Sequence, residues 1–467
     1  MHNLKGKKIA MVFGQSIEGC GVTRIGTEMQ IWAKRIGLDF DVYSYDERKY
    51  NRRDAHALDF IPFMKDDITN TVQRLNEYDA VIFNSYPSAK FDNASIKSFY
   101  YDLVKQISTI KVGFMHELNK TNIDKVPYLL YLMNDMDLIY NFGESTWFAK
   151  EMDKAFPSKK LGERIKKFTM MFNFEDLKHY RDEYPLESKD KKLVYCSRWT
   201  TMKGPRRVLE LADLFKEKGS EITCELKGIE RSIGAKGDIF DHPNTLDCTG
   251  KEPKGSGYVP VYGPYVRDEG MDYMAKNLFV ASFYRMPKDP NAYGDRMEFA
   301  QIESIAVGSI PVFDKHWGEN NRTKDGKRYI DIPYSAVYGD IDNLEETVNQ
   351  IIEINNSKEL QEKYRETSYQ IAKSEFDVNE VMPEMINYIL SIGKDEERFK
   401  NEEELLRSLI DDEFINDFLH LYKEQVDIKG EIPVVGVREI IENNILAVLE
   451  GKKEKEIMNF KKKKNKK

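Results

Sequence analysis

The chain has 467 residues, of which 41% are hydrophobic and 32% charged, with a formal net charge of −8. That length exceeds one ordinary core and predicts two domains; no apolar run approaches the roughly 18 residues of a membrane span, and Met1-His2-Asn3-Leu4-Lys5 leads into no apolar signal region, so neither membrane insertion nor export is expected. From Gly451 onward nine lysines face two glutamates, leaving −15 on the first 450 residues, which excludes a uniformly basic nucleic-acid-binding surface and leaves a basic tail.

Along the chain, short apolar runs alternate with amphipathic helical patterns. In the first half the strand candidates are residues 9–13, 40–45, 80–85, 111–115 and 138–142. Between the first two lies a helical stretch with Ile25, Met29, Trp32, Ala33 and Ile36 on one face. The pattern restarts at 193–196, 222–227, 278–283 and 309–313. Such β-rich runs separated by helices read as parallel βα units, so the expectation is an α/β protein of two Rossmann-like halves facing across a cleft. A charged stretch at 173–190 containing Pro185 is a candidate linker. Residues 341–392 read as helical, and 394–450 as a helical extension with Leu405, Leu406, Leu409 and Ile410 followed by Phe414, Phe418 and Leu421. The final stretch, 451–467, has no apolar face to bury and is expected to be disordered. The four cysteines, Cys20, Cys196, Cys224 and Cys248, lack metal-type pairing and are expected to be thiols in a reducing cytoplasm; no metal site is expected.

Four stretches carry chemistry. "GQSIEGCGVTR", residues 14–24, joins the first strand to the first helix; Gly19 and Gly21 permit a tight turn, and with Cys20 and Val22 they bring backbone N–H groups of a helix start to an anion or sugar oxygen. A dinucleotide fingerprint asks for a third glycine where Arg24 stands. "CSRWTTMKGPRRVLEL", 196–211, is the mirror junction in the second half: Arg198 and Lys203 project from the loop, Gly204 makes the turn and Pro205 takes the first helical position, a combination suited to pyrophosphate without a metal. "DRMEFAQIESIAVGSIPVF", 295–313, sets Glu298 and Glu303 around a helix start, where a carboxylate accepts both hydroxyls of a ribose. "VGFMHELN", 112–119, ends a strand in His116-Glu117, an ionisable pair at a carboxyl end. A tight turn, surface ion pairs, helix-end charge stabilisation and a core histidine are the respective structural alternatives.

Together these stretches resemble a retaining glycosyltransferase of the two-Rossmann GT-B type. "ESIAVGSIPVF" resembles that superfamily's Glu-x-x-Ala-x-Gly signature, with Glu303 as the ribose ligand. A second glutamate often stands eight positions earlier, where this chain has Asp295; Asp295 and Glu298 are both candidates for it. More narrowly, "EGCGVTR", "SRWTTMKG", "GIERS" and "GSIPVF" followed by "GEN" occur in the order found in the DNA α-glucosyltransferases of T-even bacteriophages. The resemblance covers residues 7–390 in patches.

It implies UDP-glucose as donor, with no tightly bound cofactor, and 5-hydroxymethylcytosine in duplex DNA as acceptor, the product an α linkage that protects phage DNA from restriction in the host cytoplasm. Residues 1–175 become the acceptor-side domain and 190–393 the nucleotide-sugar domain. Arg198 and Lys203 match the phosphate-binding pair and Glu230, Arg231 and Ser232 a loop near the uridine; His116 falls where the family has a histidine beside an acidic residue, with Glu117 in place of aspartate. The target base is expected to flip out of the duplex. The acidic bulk of the chain favours a rival, an enzyme of the same fold acting on 5-hydroxymethyluracil DNA, a glycan or a small molecule. A nucleotide-sugar-binding protein without turnover is the alternative from another class. Oligomeric state is left open.

Overall fold

Strands that read as unbroken apolar runs must be covered on both faces, which in practice means parallel strands with helices on each side. The computed structural model describes residues 4–13, 21–44, 60–62, 68–84, 103–104, 106–116, 136–142, 149–150, 153, 161–200, 203–228, 239–283, 297–340 and 342–393. They form two compact units, each built on one parallel sheet. Described residues up to 169 and from 382 onward make the first unit, and residues 170–381 make the second.

The first sheet comprises β1 (Lys8–Phe13), β2 (Asp39–Ser44), β3 (Phe60–Pro62), β4 (Ala80–Asn84), β5 (Ile110–Met115), β6 (Leu138–Asn141) and β7 (Ile165–Lys167), in the order β3-β2-β1-β4-β5-β6-β7. Every residue of β4, β5 and β6 is buried. Helix α1 (Gly21–Ile36) lays Ile25, Met29, Trp32 and Ala33 on the sheet. Ile36, expected on the same face, is instead 47% exposed, because the helix ends there and Gly37 with φ 70° turns the chain away. Helix α2 (Ile68–Leu75) buries Thr71 and Leu75.

The second sheet comprises β8 (Asp190–Cys196), β9 (Thr223–Lys227), β10 (Thr245–Asp247), β11 (Val259–Tyr262), β12 (Asn277–Ser282), β13 (Ile310–Asp314) and β14 (Val337–Gly339), in the order β10-β11-β9-β8-β12-β13-β14. Its helices are α3 (Phe174–Glu183), α4 (Pro205–Glu217), α5 (Arg267–Lys276), α6 (Phe299–Ala306), α7 (Lys315–Asn320), α8 (Leu344–Asn355), α9 (Lys358–Phe376) and α10 (Val378–Ser391). Helix α10, interrupted by Pro383, carries the chain back into the first unit, where Tyr388 lies near Tyr140 and Lys166 stands 5.5 Å above the Tyr388 ring. Two parallel sheets wound with helices give the α/β GT-B architecture. The strand order reverses between β1 and β4 in the first sheet and between β8 and β12 in the second, where β11 also lies between β9 and β10. The carboxyl ends flanking such a reversal are where open α/β sheets bind ligands.

The short strands β3, β7, β10, β11 and β14 escape a reading of apolar runs; the sequence offers only three or four residues at each, half-buried in β10 and β11. The 173–190 stretch is not a linker. Phe174 and Leu177 are buried and make α3 part of the second unit, despite its charged outer face. The extension 394–450 and the tail 451–467 lie outside the described residues. Among those described, no helix is long and apolar enough to cross a membrane.

Behind α3 sits a buried lysine. Lys189 donates a hydrogen bond to the carbonyl of Ala275, with Arg365 and Arg181 close by. Burial, reinforced by those two cations, pushes its pKa down to about 7 from the usual 10.5. A base whose folded pKa is depressed costs stability most where both states are protonated, below about pH 7, and the cost fades as pH rises toward the unfolded value. Lys189→Met is therefore expected to raise Tm relative to wild type at pH 6.5 and to lose that advantage by pH 10, as followed by thermal denaturation across pH.

Candidate active site

In the first unit, β1 ends at Phe13, just before the glycine-rich stretch of the sequence. Gly19 and Cys20 lie outside the described residues, while Gly21 and Val22 open helix α1 and so occupy its N-terminal turn. The third glycine that the fingerprint asks for is supplied two positions later than the sequence pattern suggests. A Cβ on Gly26 would lie 2.5 Å from Cζ and 2.9 Å from Cε2 of Phe13, so Gly26 lets α1 seat on β1, the packing work assigned to that glycine. Arg24, at the expected place, forms an ion pair with fully buried Glu28 one turn on.

Two strands away, His116 follows the last residue of β5. Its Nε2 lies 2.6 Å from Oδ1 of Asn84, the final residue of β4. The imidazole stacks on Phe142 at 4.1 Å, and Phe142 stacks on Phe168 at 3.7 Å. His116 is 9% exposed. Glu117 lies outside the described residues.

In the second unit the corresponding loop leaves β8 as Ser197-Arg198-Trp199-Thr200. Trp199 turns inward, packing edge-on against Phe240 at 5.4 Å, which identifies it as core. Arg198 is partly exposed; its carbonyl accepts a hydrogen bond from Tyr195 at 2.7 Å, and among the described residues no carboxylate pairs with its guanidinium. Lys203 ends the loop. Gly204 follows in the left-handed region at φ 63°, its absent side chain leaving room for Cβ and the carbonyl of Phe283 just past β12, and Pro205 begins α4. Lys203 Nζ donates to the Glu298 carboxylate and, at 3.3 Å, to Ser197 Oγ.

Glu298 stands at the start of α6, where its own backbone N–H donates to Oε1 of Gln301 at 2.7 Å. Glu303 lies further along α6, partly exposed, close enough to Cys196 and Tyr265 for its charge to raise the pKa of both. Burial is the larger cause at Cys196 and pushes the thiol up to about 12, while Tyr265 donates a hydrogen bond to its sulfur. Cys196 is thus a protonated structural thiol at neutral pH. Of the residues expected from sequence, Lys203 and Glu298 are in contact, Arg198 shares the Lys203 loop and Glu303 the Glu298 helix. Glu230, Arg231, Ser232 and Asp295 lie outside the described residues.

Ser197, Gln301 and Asn84 escape sequence reasoning. Serine, glutamine and asparagine at strand and helix ends are ordinary capping residues, and only Asn84 leaves a trace, as an amide closing the apolar run Ala80–Asn84. Gly308 of the signature does not belong to the crevice. It precedes β13 at the sheet's amino end with φ 83°, and a Cβ there would lie 2.7 Å from Arg365 Nε. Among the described residues no group of three or more His, Cys, Asp or Glu side chains is arranged to hold a metal.

Two wound α/β units, with Lys203 paired to Glu298 at the reversal of the second, fit the glycosyltransferase class expected from the sequence. The family model described as DNA alpha-glucosyltransferase matches residues 20–359. The chain belongs to the DNA alpha-glucosyltransferase family. It is 22% identical over 383 residues to the DNA alpha-glucosyltransferase of Enterobacteria phage T4, covering 78% of this chain and 94% of that protein. Among solved structures it resembles an alpha-glucosyltransferase in complex with UDP-glucose and DNA containing an abasic site, at TM-score 0.68 and 20% identity over 82% of this chain and 99% of that one. An alpha-glucosyltransferase in complex with UDP and a 13-mer DNA containing a HMU base gives TM-score 0.68 and 20% identity, over 82% of this chain and 100% of that one.

Gly308→Ala is expected to lower stability by about 1–2 kcal/mol from the left-handed backbone alone, with a further loss from displaced Arg365, as read by denaturant unfolding.

Proposed function

We propose that this chain transfers glucose from UDP-glucose to the hydroxymethyl group of 5-hydroxymethylcytosine in duplex DNA, with retention of configuration to give an α linkage. The observation that carries the reading is the Lys203–Glu298 pair at the β8/β12 reversal, with Arg198 in the same loop, in a chain of this family. In this reading the second unit takes the nucleotide sugar and the first serves the acceptor. The setting is the cytoplasm of a phage-infected bacterium, where the modified base shields DNA from restriction.

The steps follow from charge. Departure of UDP leaves negative charge on its β-phosphate, and Arg198 and Lys203 stabilise that charge as it develops. Lys203, paired with Glu298 when the donor is away, exchanges one anionic partner for another and never stands buried and unpaired. Glu303 takes the ribose hydroxyls; the loop of Glu230, Arg231 and Ser232 borders the uridine; the Gly19–Val22 turn borders the sugar and diphosphate. Of Asp295 and Glu298, the second carries support, since it already faces Lys203. The sugar passes through an oxocarbenium-like state, the acceptor hydroxyl enters on the face the phosphate leaves, and the departing phosphate accepts its proton. His116 orients the sugar or the acceptor hydroxyl. The target base is flipped from the duplex.

A second reading, 5-hydroxymethyluracil as acceptor, draws support from the neighbour complexed with HMU-containing DNA. Labelled UDP-glucose offered to duplexes carrying cytosine, 5-hydroxymethylcytosine or 5-hydroxymethyluracil decides between them. Label is expected on 5-hydroxymethylcytosine and absent from cytosine, with an α anomer by NMR; label on 5-hydroxymethyluracil alone transfers the assignment, and donor hydrolysis with no labelled DNA overturns it in favour of another acceptor. In the same assay Lys203→Ala is expected to lower kcat by roughly 10²–10³-fold, the usual effect of removing one charge-stabilising donor.

A further inference from the structure

We propose that Tyr195 is a positioning residue whose hydroxyl holds the backbone at Arg198, so that the two cations of the β8 loop meet the donor diphosphate as one unit; this rests on the roles given to Arg198 and Lys203 above. Tyr195 lies in β8, in register between Leu226 of β9 and Ala281 of β12, and so stands on a strand at the reversal of the second sheet. Its ring belongs to the core with Leu193, Leu226 and Phe283, fully withdrawn from solvent. A phenylalanine would meet the packing alone, and a hydroxyl carried into such a core is costly unless it is engaged.

Here it is engaged, and only one direction fits. The Tyr195 hydroxyl lies 2.7 Å from the carbonyl oxygen of Arg198; a carbonyl can only accept, so the phenol donates. Burial, reinforced by the charge of Glu298, pushes the phenol well above its usual pKa, and the proton stays in place throughout the neutral range. The Ser197 hydroxyl in turn donates to the Tyr195 oxygen. Ser197 Oγ itself accepts at 3.3 Å from Lys203 Nζ, an ammonium that can only donate. The hydrogen bonds therefore run one way, from the ammonium through Ser197 and Tyr195 to the backbone of Arg198, and in such a chain each bond polarises the next. When a diphosphate replaces Glu298 at Lys203, this chain still ties the root of the Arg198 side chain to the ammonium. Phenylalanine at 195 keeps the packing and breaks the chain, leaving the Arg198 carbonyl without this donor.

The test is Tyr195→Phe in the full chain, with folding verified by circular dichroism and thermal denaturation. Titration calorimetry is expected to show UDP bound roughly 10-fold more weakly, the usual effect of leaving a partly buried acceptor unpaired, with KM for UDP-glucose rising in step and KM for the DNA acceptor as in wild type. A residue of purely structural importance lowers Tm and leaves the UDP affinity of the folded protein unchanged; that result overturns the proposal. A double-mutant cycle then asks whether Tyr195 acts through residue 198. In Arg198→Ala, adding Tyr195→Phe is expected to weaken UDP by less than about threefold, since coupled residues are not additive. Should Tyr195→Phe fail to fold, Ser197→Ala breaks the same chain from a half-buried loop position and is expected to weaken UDP by about threefold; wild-type affinity there overturns the proposal equally. If Arg198→Ala binds UDP as wild type does, the role of Arg198 falls and takes this proposal with it. If Arg198→Ala binds weakly yet the two losses are additive, only the assignment to Tyr195 falls.

Discussion

The side chains of Lys203 and Glu298 form an ion pair where little water reaches, 11% and 22% exposed. Removing either partner of a pair so withdrawn leaves a charge that the surroundings cannot solvate, which makes the pair far costlier to break than to exchange. Their positions give it reach. Lys203 closes the loop after β8 and Glu298 opens the helix that follows β12, so one electrostatic contact joins the two junctions on either side of the second sheet's reversal. In the proposed reaction only an incoming group with its own negative charge can take the place of Glu298, and a diphosphate is such a group. Discrimination for the donor would thus begin with the cost of an unpaired lysine, before any hydroxyl is read.

Close packing seats a helix or loop against a strand end in each unit. Gly26 allows α1 down onto Phe13, and Gly204 allows the β8 loop against Phe283. Each contact ties a helix start to the end of a strand at the edge where the functional side chains emerge. The column His116, Phe142 and Phe168 does similar work with rings, coupling the ends of β5 and β6 to the residue that follows β7. Precision of this kind belongs to strands and helix ends, and rigid elements hold side chains more closely than free loops do.

Nine of the strands are legible because their apolar residues cluster within a few positions, unbroken in β1, β4, β8 and β12 and interrupted by polar residues in β2 and β9. The five that are not, such as β7 with Ile165 alone buried, are too short for any period to emerge. Charge misled at 173–190, where the outer face of α3 outnumbers the two buried side chains that define it. Of the proposed site, the Arg198–Lys203 loop and Glu298 stand out in sequence as cations beside Gly-Pro and a carboxylate at a helix start, and the structure pairs Lys203 with Glu298. Asn84 and Ser197 do not, since their meaning depends on strand order, and no local pattern states that β4 and β5 are neighbours. The signature motif mixes residues that only backbone geometry separates: Glu303, proposed to hold the ribose, lies along α6, and Gly308 stands at the amino end of β13 with φ 83°.

The second unit is an insertion within the chain of the first, entered after Thr169 and left at Val381. Met385, Ile386 and Ile389 of α10, all buried, are counted in the first unit although they follow the whole of the second in sequence. A growing polypeptide therefore completes every strand of both sheets before the last helical piece of its first-made half leaves the ribosome. Among the described residues the later-made unit is one continuous segment, whereas the earlier-made one is completed by a helix that follows that segment in sequence.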